Sequence, residues 1–134
     1  MVEFALAAPI LIFMLMALME VGHGINSYLS IIAAARDAAR YGSASDDNSD
    51  NYTAMLNMVD KETERLANGG PPTGAQNCAS TGQGVCISST TVDSTDAIRV
   101  RVCYNHQLII GLPSLMSGPL RMCSTTEMRV ANGT

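Results

Sequence analysis

The first forty residues alternate between two regimes of hydrophobic patterning. Phe4 to Met19 is a run of sixteen residues with no charge, bracketed by Glu3 and Glu20. As a helix the run rises about 24 Å, slightly short of a ~30 Å hydrocarbon core. A helical pattern then continues. Ile25, Leu29, Ile32, Ala35 and Ala39 extend an apolar stripe, with Asn26, Ser30, Asp37 and Arg40 on the polar side. Taken from Glu3 to Tyr41 the helix is roughly 58 Å long, far more than a membrane needs. One half is therefore expected to sit in lipid while the other packs on a globular head, with Glu3 and Glu20 near the two interfaces.

After Tyr41-Gly42 the pattern changes. "SASDDNSDN" is a polar loop, with Ser49, Asp50 and Asn51 as candidate helix N-caps. Tyr52, Met55, Leu56, Val59 and Leu66 follow helical spacing, and Asn68-Gly69-Gly70-Pro71-Pro72 stops that helix. Three strands are expected beyond a Gly-rich loop: Val85–Val92, Ala97–Tyr104 and Leu120–Val130. In the second, Ile98, Val100, Val102 and Tyr104 alternate with Arg99, Arg101 and Cys103. In the third, Leu120, Met122 and Met128 alternate with Arg121, Cys123, Glu127 and Arg129. The fold class is α+β: a long hydrophobic helix over 1–43 and a head over 44–134, built of one helix and a short antiparallel sheet with its apolar face inward.

Composition narrows the function. At 134 residues the chain holds one domain, or one with an appendage, and its net charge of -4 with no basic cluster argues against nucleic acid as a partner. Four cysteines, an even number without C-x-x-C spacing, point to disulfides in an oxidising compartment. Cys103 and Cys123 fall on the same phase of adjacent strands and are open to a cross-strand bridge, which leaves Cys78 and Cys86 to close the loop between them; two other pairings remain open.

Catalytic chemistry finds no constellation. His23 lies in the first helix and His106 is expected in a loop, with no nucleophile arranged around either. No cofactor is implied, and no metal site is assigned. Asp46, Asn48 and Asp50 have the alternate spacing of a calcium loop, but its twelfth position is Asn57 and its sixth Asn51, so a solvated loop and helix cap is preferred. Asn51-Tyr52-Thr53 and Asn132-Gly133-Thr134 match the glycosylation sequon, a tripeptide that chance supplies often.

A secretory signal fits the N-terminus poorly, because no positive segment precedes the apolar run. Instead "VEFALAAPILIFMLMALMEVGHG" followed by "AAARDAARYG" resembles the N-terminus of TadE-like proteins, the pilins and pseudopilins of tight-adherence (Tad) type IV pili. Val2, Glu3, Phe4, Pro9, Glu20 and Gly22 match that pattern, as do Ala35, Arg36, Ala39 and Arg40. "AIRVRVCYNH" and "LRMCSTTEMRV" are similar, more loosely, to the family's closing strand pair. In such pilins the glutamate is usually the fifth residue after leader cleavage, whereas here it is the third.

The resemblance implies a structural subunit, not an enzyme. It would be held in the inner or cytoplasmic membrane before assembly and then polymerise into an extracellular filament used for adhesion. Its partners would be copies of itself, the assembly machinery and a leader peptidase. Glu3, Phe4 and Pro9 would be assembly residues, with Glu3 paired to a neighbour's terminal amine. Glu20 is read as an interfacial residue, with a hinge beside Gly22, His23 and Gly24 as the alternative. A minor pseudopilin that primes or caps the pilus, and a membrane-anchored surface binding domain, are the rival readings.

Overall fold

The computed structural model describes residues 2–64, 66, 78, 83–108 and 119–131. Helix α1, Val2–Gly42, dominates it and at 41 residues is about 61 Å long. It runs unbroken through Pro9 and through Gly22 and Gly24. A one-turn helix, α2 (Asp46–Ser49), follows; Ser45 caps it by accepting from the Asn48 amide. Helix α3 spans Tyr52–Thr63, and of the three expected caps Asn51 takes the role, its Oδ1 accepting from the Ala54 amide. Those caps satisfy donors that helix N-termini leave orphaned.

Three strands complete the head: β1 (Gly84–Val92), β2 (Thr95–His106) and β3 (Leu120–Arg129), in an antiparallel sheet of that order. The β1–β2 hairpin turns on Asp93 and Ser94, both at positive φ, as a two-residue turn of matching twist requires. The stretches 67–77 and 109–118, which contain the expected helix stop and the Pro-containing loop, lie outside the described residues.

Period-two patterning decides what the sheet buries. Ile98, Val100, Val102 and Tyr104 of β2 are at most 1% exposed. Val85 and Ile87 of β1 oppose Val102 and Val100 and extend the same inward row. The outward row holds Arg99 opposite Glu127, which form an ion pair, and Cys103 opposite Cys123. Over the inward face lie α3, through Met55 and Val59, and the second half of α1, through Ile31, Ala34, Ala35, Ala38 and Ala39. Small residues let the helix axis lie close to the sheet. Gly42 is a close approach to both α3 and the sheet, for a Cβ there would stand 2.7 Å from Met55 Sδ and 3.0 Å from Ile98 Cδ1.

The stripe read from the sequence needs correction. Ala35 and Ala39 do face the core, but Ile25 and Leu29 are 56% and 58% exposed, while Ser27 is buried. The embedded face is rotated around the helix toward Ser27, Ile31, Ala34 and Ala38. Alanine carries too little hydrophobicity to mark a face against isoleucine and leucine, so the larger residues misdirect the reading.

Candidate assembly site

Where α1 leaves the head follows from arithmetic. Ile98 lies against Gly42, and His106 lies 4.0 Å from where a Gly24 Cβ would stand. Eight strand residues between those contacts span about 26 Å and eighteen helix residues about 27 Å, so sheet and helix run out together. Beyond that point the helix lies on no other element among the described residues. Twelve large apolar side chains from Phe4 to Val21 are between 46% and 83% exposed. The helix is long and apolar enough to cross a membrane.

The junction is built by Glu20 and His23 of α1, where the sequence placed them, and by His106, which it placed differently. His106 ends β2 rather than sitting in a loop, and is 1% exposed. Its Nε2 stands 3.7 Å from Glu20 Oε1, and its ring centroid is 5.3 Å from that of His23. Neither imidazole nitrogen makes a hydrogen bond among the described residues. Glu20, thirteen percent exposed at its side chain, thus turns toward the last residue of β2. The continuous helix through Gly22 and Gly24 shows no hinge at this point. Inward phase on β2, two residues past Tyr104, was the signal in the sequence that could have placed His106.

Of the expected assembly residues, Phe4 is 83% exposed and Pro9 is exposed within the helix. Glu3 occupies the first turn, and its side chain lies outside the described part of the structure. The cysteines pair as Cys78–Cys86 and Cys103–Cys123. The second bridge joins directly opposed residues of β2 and β3 on the outward face, remote from α1. Asp46 and Asn48 belong to α2, and no group of three His, Cys, Asp or Glu side chains among the described residues is arranged to hold a metal. Asn51 has its side-chain oxygen engaged in the α3 cap; Asn132 lies outside the described residues.

A bare apolar arm continuous with an embedded helix is the geometry against which known proteins can be set. Residues 1–40 match the TadE-like protein family. No curated protein and no solved structure matches the chain. The TadE-like segment coincides with α1 almost to its end, covering both the arm and the half that lies on the sheet. This match and the apolar helix fit a Tad pilus-related protein, and the two disulfides are compatible with that setting.

Proposed function

We propose that this chain is a structural subunit of an extracellular Tad-type pilus. It is held in the inner or cytoplasmic membrane by the arm and then polymerises through it. The observation that carries the reading is the arm itself: the run from Phe4 to Met19 is uncharged and exposed on every side. A helix apolar all round is not stable in water alone and must be covered by lipid or by other helices. Outside the bilayer each Å² of that apolar area left in water would cost ~25 cal/mol, and a bundle of like helices removes it from water.

Other copies of the chain are therefore its principal partners, with the membrane, a leader peptidase and the assembly machinery acting earlier. Pro9 leaves the Ala5 carbonyl without its helical donor, and Ala5, Ala7 and Ala8 beside it are small enough for neighbouring helices to approach closely. Glu3 in the first turn sets the axial register by pairing with a neighbour's terminal amine, since an unpaired carboxylate inside such a bundle costs several kcal/mol. The heads then face outward, where adhesion takes place. The role is structural and requires no cofactor.

Purified surface appendages test the proposal. This chain should dominate their protein mass. A trace amount in otherwise abundant filaments would assign it to priming or capping, and its absence from them would leave a membrane-anchored surface domain.

A further inference from the structure

Between Glu20 and Ser30 the large apolar residues that α1 leaves exposed fall on one face. Val21, Ile25, Tyr28 and Leu29 are each at least 43% exposed and lie at spacings of four, three and one, along one side of the helix. Between this face and the edge strand β3 lies an open groove of about 340 Å³. Gly24, Ile25 and Tyr28 form its helix wall; Leu108, Leu120 and Met122 form the opposite wall. Among its described lining side chains the ionisable pair Glu20 and His106 already face each other, and Tyr28 adds a phenol. Val21 also belongs to a second hollow of about 300 Å³, shared with Met14, Ala17 and Leu18, so the apolar track runs from the head down onto the arm.

Resting on the filament reading, we infer that this groove receives side chains from the apolar arm, Phe4–Met19, of a second copy of the chain. Charge supports that occupant: the arm has none over sixteen residues, and the groove offers no ionic partner beyond a pair already facing each other. Size supports it too, since the groove is about twice the ~150 Å³ that holds a benzene ring and so has room for two large side chains. The chain's own arm cannot serve, because α1 is one unbroken helix leading away from the groove. The arm also has the area. Its exposed large side chains present roughly 1,000 Å² or more, above the ~800 Å² per partner of a standard interface. Ridges of one helix seat in a groove flanked by another only where the flank is low, and Gly24 supplies that low point.

The contact joins one subunit's head to another's arm. It explains a glycine that otherwise weakens the helix, for a Cβ at Gly24 would meet His106 Nε2 at 4.0 Å and nothing nearer within the subunit.

The test uses the full chain in cells that assemble it, with a benzophenone amino acid at Leu120. Illumination should give dimeric adducts whose second peptide maps within Phe4–Met19. Adducts to lipid, to a different protein or to another head would overturn the inference. A filled groove gives the second reading. Gly24→Leu should lower adduct yield at least tenfold, while Gly22→Leu, where a Cβ meets nothing within 4 Å, should stay within twofold. Both variants should keep the Cys103–Cys123 bridge, which reports a folded head. Equal yields from the two would sink the groove. Filaments without a Leu120-to-arm adduct would discard the groove and leave the subunit reading standing; adducts without filaments would do the reverse.

Discussion

The two halves of α1 share one backbone conformation and have opposite relations to solvent. From Phe4 to Met19 every large side chain is exposed, whereas Ile31, Ala34, Ala35, Ala38 and Ala39 are completely buried. The more hydrophobic half is thus the uncovered one. Burial inside this subunit follows the reach of the sheet rather than the hydrophobicity of the helix: α1 is covered as far as His106 extends and no further. What the fold leaves bare is what the proposed assembly would cover, so stability of the head and capacity to assemble are expected to be separable properties.

The largest effect expected from that separation comes from placing a charge in each half. Ala35→Asp puts a carboxylate without a partner into the core and should cost the head about 3–5 kcal/mol. Leu11→Asp should leave head stability unchanged while abolishing filaments. Chemical denaturation in detergent, read beside filament yield, separates the two; a Leu11→Asp protein with a weakened head would show that the halves are coupled.

Disulfide removal comes next. Cys103→Ser with Cys123→Ser frees a closed loop of 20 residues' separation and should lower head stability by about 3 kcal/mol. Because this bridge lies on the sheet face away from α1, detergent-solubilised protein should keep the arm helical by circular dichroism. Loss of arm helicity in that variant would contradict the division.

Glycine substitution should give opposite signs in the two halves. Gly42→Ala forces a Cβ against Met55 Sδ and Ile98 Cδ1; both are flexible side-chain ends in a packed core, and a cost of about 1 kcal/mol is expected. Gly22→Ala meets open space and should stabilise the helix by about 0.5–1 kcal/mol. Thermal unfolding of the two variants gives the comparison, and a destabilising Gly22→Ala would reveal a contact within the subunit near the junction.

The smallest effect is a pH dependence confined to the head. Burial raises the Tyr104 phenol above its ordinary value, which is about 10. Below that pH both folded and unfolded chains hold the proton, and the contribution to stability is complete. Above it the unfolded chain releases its proton first, so stability falls until the pH passes the raised folded value. Tyr104→Phe should flatten this alkaline loss in melting curves, and an unchanged slope would assign the loss to other groups.

Strand positions were legible because alternation leaves a strong imprint: Ile98, Val100, Val102 and Tyr104 predict the inward face of β2, and all four are buried. The long helix was legible from its continuous apolar and then amphipathic pattern, and the N-terminal resemblance agrees with the TadE-like match over residues 1–40. The one-turn α2 was not, since four polar residues carry no periodicity and its cap, Ser45, is a signal shared with loops. Nor was the junction. His106 comes from β2 and Glu20 from α1, 86 positions apart in the chain, and only packing brings them within 3.7 Å.

Local chemistry alone settled that residues 4–19 form an apolar helix, that a second helix begins at 52 and that three strands follow, because helix and strand periodicities are properties of neighbouring residues; it carried that second helix on to Leu66, whereas α3 ends at Thr63. Tertiary structure decided which side of α1 is inside. Ile25 and Leu29 are more hydrophobic than Ala34 and Ala38, yet it is the alanines that are buried. A helix that must lie close to a sheet selects small side chains for the contact, and its larger apolar residues are then turned outward, available to something other than their own fold.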